Sequence, residues 1–354
     1  MIALLGREAG STDGVRDYCR LLGQAFELRG RRLELIHTPW ASIGWPRTYW
    51  WAWTRRPRWA GTRVILQYTA FSWSRSGLPL PIAVIALLLR LRGARLAIVY
   101  HDPLPYGSPS IIGRLRTAVQ TFVMRTTYRL SDVAVLTVPL EAVFWLPDRQ
   151  KAVTIPVGSN VAPINSTGRG AHGASRQAMV AVFGVHRGAH AAIELRQIAE
   201  AVNIAKKRQP CLRVRFFGGG TMEAEAQIRT LLDDVPTEVL GILEPQAAQR
   251  TLEAARATLF VRGPVASGRT TAVAGIAAGT PVVGFSGAVT GPPITAAGVR
   301  LVPDGRADLL GLALAEVLEN DTLWNELHQR NLEAIKEHFS WPAIAGHLLN
   351  VLGE

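Results

Sequence analysis

The sequence predicts an α/β protein made of two domains, each a parallel β-sheet with helices on both faces. The chain has 354 residues, which is enough for two domains of ordinary size. Short apolar segments of strand length alternate with segments of helical periodicity, and this alternation occurs in two series. Between the series, residues 160–177 are rich in Gly, Ser, Asn and Ala, which is typical of a linker.

The first series covers the amino-terminal half of the chain. Its helices, at 15–29, 82–91 and 114–130, have apolar residues at helical spacing, and the last of them is also basic. Its strands are short apolar segments at 2–5, 33–37, 64–67, 96–100, 133–137 and 152–155.

The second series repeats the pattern after the linker. Its strands are predicted at 179–183, 212–217, 237–240, 257–261 and 281–283. Its helices are predicted at 191–205, 223–232, 245–255 and 271–278. Each series therefore predicts a Rossmann-like domain, in which ligands bind at the carboxyl ends of the strands.

Composition restricts the class of protein and its compartment. Hydrophobic residues make up 48% and charged residues 19%, so both domains can bury a core and disorder is excluded. The two cysteines lie far apart in sequence, which predicts a reducing, cytoplasmic environment. The longest apolar segment, 78–89, is shorter than the ~20 residues that a membrane-spanning helix needs.

The net charge of +12 is confined to one half of the chain. Residues 1–165 hold 21 Lys and Arg against 9 Asp and Glu, whereas the remaining residues hold 18 of each sign. We expect the amino-terminal half to face a polyanion.

One loop of the second series combines several groups that bind anions. Ser267, Gly268, Arg269, Thr270 and Thr271 lie between a predicted strand and a helix amino terminus. Free backbone N–H groups, the helix dipole, hydroxyl groups and a guanidinium would converge there, which suits a pyrophosphate. The alternative is a capped helix start with Arg269 in solvent.

Four segments of the second series resemble the retaining GT-B glycosyltransferases of family 4. They are Val214–Gly220, Val239–Gly241 with Glu244, Ala277–Val283 and His338–Trp341. In the first series the likeness is looser and covers residues 13–15, 66–68, 98–102 and 155–160.

The resemblance implies two Rossmann-like domains facing across a cleft, with a C-terminal helix that crosses back to the first domain. It assigns residues 1–165 to a basic, membrane-facing acceptor domain, 166–337 to a nucleotide-sugar donor domain and 338–354 to the C-terminal helix. It also implies retention of configuration at the transferred sugar. The chain departs from the family at Ala266 and Ala274, where two glutamates are usual, and no carboxylate occurs between Ala257 and Gly298.

The resemblance also implies roles for residues at strand ends. His101, followed by Asp102, would contact the donor sugar near the reacting carbon, and Arg187 before Gly188 would neutralise the leaving diphosphate. Gly218 belongs to the matching segment Val214–Gly220, and Gly14 opens the first helix, where a ligand can approach the backbone. The alternatives are a core histidine, a surface arginine and a simple tight connection.

Other chemistries lack their motifs. No clustered Cys and His spacing predicts a metal site, so we expect neither a metal nor another cofactor. Neither GxSxG nor GxxxxGK[ST] occurs, which argues against a serine hydrolase and a P-loop NTPase. No recognised nucleic-acid-binding module accompanies the basic charge, so no nucleic-acid partner is expected.

The segment 40–59 alternates tryptophan with arginine. This mixture is typical of an anionic membrane surface, although it also fits a core, a protein interface or stacking on bases. The residues expected at the membrane are Trp50, Trp51, Trp53, Arg55, Arg56 and Arg58.

Together, these observations predict a cytoplasmic glycosyltransferase, peripheral to the inner face of the cell membrane. It would use a nucleotide-sugar donor and a lipid-linked or cell-envelope glycan acceptor. The alternative function is a catalytically silent GT-B scaffold that binds a partner glycosyltransferase or a glycan.

Overall fold

A computed structural model describes residues 1–7, 13–108, 110–161 and 178–354, without the side chains of Arg56, Pro57 and Ala189. Contacts divide the chain into two units, Met1–Pro156 with Ile344–Glu354, and Val157–Ala343. Most of the predicted linker, and the predicted boundary between residues 165 and 166, lie outside the described residues.

The amino-terminal unit contains one six-stranded sheet in which every strand pair is parallel, with the order β2-β1-β3-β4-β5-β6. The strands are β1 Ile2–Leu5, β2 Glu34–His37, β3 Arg63–Tyr68, β4 Arg95–Tyr100, β5 Val133–Leu136 and β6 Ala152–Thr154. The helices are α1 Gly14–Glu27, α2 Trp40–Thr54, α3 Arg56–Trp59, α4 Ala70–Trp73, α5 Leu80–Leu91 and α6 Ile111–Leu130.

The carboxy-terminal unit contains a second six-stranded parallel sheet, with the order β12-β11-β10-β7-β8-β9. The strands are β7 Met179–Phe183, β8 Arg213–Phe217, β9 Thr237–Val239, β10 Ala257–Pro264, β11 Val282–Ser286 and β12 Val299–Pro303. The helices are α7 Ala189–Arg208, α8 Glu225–Leu231, α9 Pro245–Ala254, α10 Thr270–Ala277, α11 Ala307–Glu319, α12 Asp321–Ala334 and α13 Trp341–Leu352. Helix α13 continues from this unit into residues 344–354, which belong to the amino-terminal unit.

The predicted α/β fold with two parallel sheets is confirmed. Helix α2 was not predicted, because Gly44 interrupts it with φ 76° and ψ 165° and its tryptophans give no helical periodicity. Strand β10 extends beyond the predicted 257–261 and includes Arg262. Its last residues, Gly263 and Pro264, had indicated a loop.

Three helices of the amino-terminal unit lie on the same face of its sheet. Right-handed crossovers from β3 to β4 and from β4 to β5 put α5 and α6 on one face, and the return from β2 to β3 puts α2 there too. Helix α5 packs against both α2 and α6. The step from β1 to β2 runs in the opposite direction, so α1 lies on the other face.

Both units bury apolar cores between sheet and helices. In the carboxy-terminal unit, Phe216, Leu310 and Trp324 belong to one core cluster. Both cysteines are free, and Cys19 is buried whereas Cys211 is exposed. Within the described part of the chain, no helix combines the length and the apolar character needed to cross a bilayer.

Candidate functional sites at the two sheet edges

His101 lies directly after β4, at the carboxyl edge of the amino-terminal sheet. Its ring is half-buried, with Nε2 2.7 Å from Oε1 of Gln67. The Tyr18 ring meets it in a T-shaped contact, with 4.8 Å between the ring centroids. The ring is therefore fixed from two sides, by a side chain of β3 and by a side chain of α1.

The surroundings of His101 determine which ring nitrogen carries a proton and whether the imidazole is charged. The amide nitrogen of Gln67 donates to the carbonyl of Ile65, so the amide oxygen faces the histidine and accepts from Nε2–H. Burial lowers the pKa of His101 to about 4, against a smaller opposing effect of the Asp13 carboxylate. The imidazole is neutral at pH 7, and Nδ1 is its acceptor atom.

The start of α1 lies at the same edge. Oδ1 of Asp13 accepts from the backbone N–H groups of Val15 and Arg16 at 3.0 and 3.1 Å, which caps the helix. A Cβ added at Gly14 would meet no atom within 4 Å, so packing does not require glycine there. A Cβ at Gly6 would lie 2.3 Å from the carbonyl oxygen of Ser72, so it is Gly6 that the packing of this edge requires.

Asp102 is half-buried beside His101. Burial, Tyr100 and then the Asp102 carboxylate raise the pKa of Tyr68, which keeps that phenol neutral. The edge thus gathers the carboxylates of Asp13 and Asp102 and one neutral imidazole.

Two glycines at the carboxyl edge of the other sheet have structural reasons to be glycine. Gly218 has φ 94°, and a Cβ there would lie 2.8 Å from the ring of Phe183. Gly220 has φ 81°, and a Cβ there would lie 2.2 Å from the carbonyl oxygen of Val185. The backbone after β8 can therefore adopt this path only with glycine.

The predicted anion-binding turn leads into α10. Ser267 is buried, Gly268, Thr270 and Thr271 are half-buried, and Arg269 is exposed. Arg269 is the residue at the helix cap, with φ −94° and ψ 91°, and among the described residues its side chain makes no capping hydrogen bond. Arg269 is exposed, as in the alternative interpretation of a helix start with this arginine in solvent. The turn presents backbone N–H groups and one guanidinium.

Arg262, which the sequence analysis did not single out, lies at the carboxyl end of β10. It is half-buried, and its buried Nε has no hydrogen-bond partner among the residues that the structure describes. Burial lowers the pKa of Arg262, Glu194 opposes this effect, and Arg269 adds to it. Arg262, Arg269 and Glu194 are thus close enough to interact electrostatically. A lone arginine in an otherwise apolar strand is the signal that could have identified Arg262.

Glu194, on α7, is buried. Its Oε2 accepts from the backbone N–H of His186 at 2.9 Å and lies 2.9 Å from Nδ1 of the same residue. Its Oε1 is buried with no partner among the described residues. This carboxylate anchors the loop after β7 and balances part of the positive charge of Arg262.

Arg187 and Gly188 follow in the same loop. The Arg187 side chain is 70% exposed, and its guanidinium is 2.9 Å from Oε1 of Glu223. Gly188 has φ 70° and is the residue at the cap of α7, which has no side-chain cap. The guanidinium of Arg187 is therefore already ion-paired at the surface, whereas the buried Nε of Arg262 has no partner among the described residues.

The two positions where the resembled family has glutamate are buried here. Ala266 is 2% exposed and Ala274 is fully buried in an apolar cluster with Leu252 and Phe217. Within the described residues, no group of three or more His, Cys, Asp and Glu side chains could hold a metal ion.

The tryptophan and arginine segment divides between core and surface. Trp50 is 68% exposed, whereas Trp51 is half-buried between Trp59 and the guanidinium of Arg55. Trp53 carries the guanidinium of Arg92 3.1 Å from its ring centroid.

Among the predicted membrane-facing arginines, Arg58 is ion-paired with Glu34. The Arg56 side chain lies outside the described residues. The structure thus brings Trp50, Trp53 and Arg55 to the surface and holds Trp51 and Arg58 against protein.

No family model matches the chain, and no curated protein matches its sequence significantly. Solved structures do match. A glycosyltransferase from Rickettsia africae ESF-5 superposes with a TM-score of 0.70 at 10% identity, over 99% of this chain and 96% of that one. Anabaena HepE, in complex with UDP and glucose, superposes with a TM-score of 0.67 at 13% identity, over 100% and 99% of the two chains.

A third similar structure is longer. Staphylococcus aureus TarM superposes with a TM-score of 0.56 at 14% identity over 82% of this chain, which spans 55% of the TarM chain. At these identities the likeness shows the fold. The chain has an α/β fold with two parallel six-stranded sheets, which is the fold class of these GT-B structures.

Proposed function

We propose that this chain is a glycosyltransferase that moves a sugar from a nucleotide-sugar donor to a lipid-linked or cell-envelope glycan acceptor at a membrane surface. The observation that carries the proposal is the edge of the carboxy-terminal sheet. There, Arg262, Arg269 and the amino terminus of α10 form a cationic site whose charge Glu194 balances in part and to which residues 257–298 add no carboxylate.

This edge suits the leaving group of glycosyl transfer. Cleavage of the sugar–phosphate bond leaves a nucleoside diphosphate, whose developing charge must be stabilised in the transition state. Two guanidinium groups and oriented N–H groups supply that stabilisation without a metal ion. A buried, unpartnered Nε on Arg262 also favours an anionic ligand, because such a ligand would satisfy it.

The chemistry of His101 limits its role. A neutral imidazole with a pKa of about 4 is a poor general acid at pH 7 and a weak base. We propose that Nδ1 accepts a hydrogen bond from a sugar hydroxyl while Nε2–H stays on Gln67. His101 then positions the sugar, and retention of configuration remains an expectation from the family resemblance.

The solved relatives are consistent with this substrate class. HepE binds UDP-glucose and TarM has been solved with UDP, fondaparinux and α-GlcNAc-glycerol. The cationic amino-terminal half supports an acceptor at an anionic surface. We propose a cytoplasmic protein peripheral to the inner face of the membrane.

A catalytically silent scaffold is the second candidate. The specific observation in its favour is that Ala266 and Ala274 are buried alanines, so no carboxylate stands at either position to hold the hydroxyl groups of a donor. A scaffold would bind a partner glycosyltransferase or a glycan and would not need a nucleotide.

A thermal-shift panel of UDP, GDP, ADP and their sugars separates the two candidates. We expect the nucleotides that carry one of the three bases to raise the Tm by a few degrees, because a ligand that binds only the folded state stabilises it. The shift should persist in EDTA, since neither metal nor cofactor is proposed. A nucleoside without phosphate is the control and should give no shift. Absence of a shift with every nucleotide would favour the scaffold.

A further inference from the structure

Three neighbouring helices of the amino-terminal unit expose an apolar surface. On α5 the exposed apolar side chains are Leu80, Val84, Leu87 and Leu91, which follow the spacing of one helical row. On α6 they are Ile111, Ile112, Leu115 and Phe122, and Trp50 is exposed on α2. Because α5 packs between α2 and α6 on one face of the sheet, these rows lie side by side.

The exposure is high for side chains of this size. Ile111 and Ile112 are 77% and 71% exposed, and Leu91 is 63% exposed. Single exposed apolar residues are common, but parallel rows on adjacent helices form a contiguous patch, which marks an interaction surface.

The charge on this surface is mainly of one sign, and Asp132, just after α6, is ion-paired with Arg90 of α5. Helices α2, α5 and α6 contain arginine but no Asp, Glu or Lys. Between Glu34 and Asp132 the only acidic residue is Asp102. Four exposed arginines on or beside these helices have no ion-pair partner among the described residues: Arg47, Arg75, Arg114 and Arg129.

Apolar and basic residues are both exposed along α6, and Arg114 lies in its first turn beside Ile111 and Ile112. Its exposed row begins with Ile111 and Leu115, continues through Phe122 and ends with Arg125 and Arg129. The amino-terminal ends of α5 and α6 follow the carboxyl ends of β3 and β4, where His101 lies. The first turns of α5 and α6, with Leu80 and Ile111, therefore start from the sheet edge that holds the proposed sugar site.

We propose that the exposed face of α5 and α6, with Trp50 of α2, is a lipid-binding face that inserts apolar side chains into an anionic bilayer surface. Apolar rows bordered by unpaired arginines complement a surface that is apolar below and uniformly negative at the headgroups. A second copy of the chain is a poor partner for this face, because its arginines would lie against the arginines of the first copy and repel them.

The lipid-binding face rests on the proposed function in one respect, because that function places the acceptor at a membrane.

The face also differs from the membrane contact that the sequence predicts. The segment 50–58 contributes Trp50, whereas Trp51 and Arg58 are held by other protein groups.

Sedimentation with vesicles tests the proposal on the full chain. We compare phosphatidylcholine alone with phosphatidylcholine containing about one third phosphatidylglycerol. The row variant carries Leu87→Gln, Leu115→Gln and Phe122→Gln. Its control carries Ile193→Gln, Ile242→Gln and Leu312→Gln, which replace apolar side chains of similar exposure in the other unit.

We expect wild type to bind the anionic vesicles in a salt-sensitive way and the row variant to bind at least ~10-fold more weakly. The control variant should bind like wild type. Arg114→Gln with Arg129→Gln should weaken binding about 30-fold, or about fivefold for each arginine, whereas Arg196→Gln with Arg250→Gln should not.

Equal binding to both kinds of vesicle, or equal loss in the row and control variants, would overturn the proposal. Light scattering in lipid-free buffer adds one outcome, because a dimer that the row variant disperses would assign the face to a second copy. Circular dichroism shows that each variant is folded. A chain that shows the nucleotide-dependent Tm shift but ignores vesicles would refute the lipid-binding face and leave the proposed enzyme standing.

Discussion

At the scale of single residues, three arginines of the carboxy-terminal unit differ in their exposure and in their interaction partners. Arg187 is ion-paired with Glu223 in solvent, Arg269 is exposed at the start of α10, and Nε of Arg262 is buried without a described partner. An anion must displace Glu223 before it gains the full benefit of Arg187. We therefore expect Arg262 and Arg269 to contribute most to diphosphate binding.

His101 is the residue whose replacement is most informative in the amino-terminal unit. If Nδ1 holds the sugar, His101→Ala should lower kcat at least ~100-fold, the lower range for a positioned polar group. Loss of the hydrogen bond to the buried Gln67 amide should lower the free energy of unfolding by about 1–3 kcal/mol, and the variant should remain folded at pH 7. Loss of folded protein, with activity retained per folded molecule, would show instead that the imidazole is only a structural group.

The same residue predicts a pH dependence of stability. The pKa of His101 is about 4 in the folded chain and near 6.5 when unfolded, so the unfolded state takes up the proton first. His101 therefore costs stability as the pH falls from about 6.5 to 4. His101→Gln removes the titration, so the Tm difference between wild type and variant should shift in favour of the variant over this window. A constant difference would contradict the buried, neutral imidazole.

At the scale of elements, the start of α1 depends on one side chain. Asp13→Ala should lower the free energy of unfolding by about 1 kcal/mol, because the N–H groups of Val15 and Arg16 lose their acceptor. Urea unfolding measures this change. Asp17→Ala is the matched control, since the side chain of Asp17 contacts, among the described residues, only the exposed Arg20. Equal effects of the two substitutions would exclude the cap.

Strand and helix positions could be predicted where the apolar pattern was clear. The predicted strands 2–5 and 179–183 match β1 and β7, because each is a short apolar segment that is followed directly by a glycine. Helix α2 could not be found, because a helix that is rich in tryptophan all round shows no amphipathic period.

The site could be predicted only in part, for a similar reason. The turn before α10 is visible in sequence as hydroxyl, glycine and arginine residues at a strand-to-helix junction. The proximity of Arg262 to Glu194 depends on the pairing of β7 with β10 and on where α7 packs, and neither is encoded locally. Likewise, the ion pair of Arg187 with Glu223 joins two loops that only the folded sheet brings together.

At the scale of the whole molecule, charge and fold divide the proposed tasks between the two halves of the chain. The excess of positive charge lies in residues 1–165, which include the lipid-binding face and the His101 edge. The carboxy-terminal half is balanced in charge but gathers Arg262 and Arg269 at one sheet edge. Long-range attraction to a membrane and local binding of a diphosphate thus depend on different groups of arginines.

The fold alone does not establish catalysis, because the GT-B arrangement can persist after a site is lost. The buried Ala266 and Ala274 remove the carboxylates expected from the family resemblance, so in the proposed enzyme the affinity for the donor comes mainly from the diphosphate. The proposed function therefore depends above all on binding of a nucleoside diphosphate.

Titration calorimetry with the nucleoside diphosphate that gives the largest Tm shift tests this claim most directly. A charge-assisted hydrogen bond contributes roughly 1.5–3 kcal/mol, so Arg269→Ala and Arg262→Ala should each raise the Kd about 10- to 150-fold. Arg269→Lys should restore part of the loss, because it keeps the charge but not the planar guanidinium. Arg187→Ala should have the smallest effect, and Arg250→Ala, an exposed arginine of α9, is the control. If Arg269→Ala and Arg262→Ala bind the nucleotide as tightly as wild type does, this sheet edge is not the donor site.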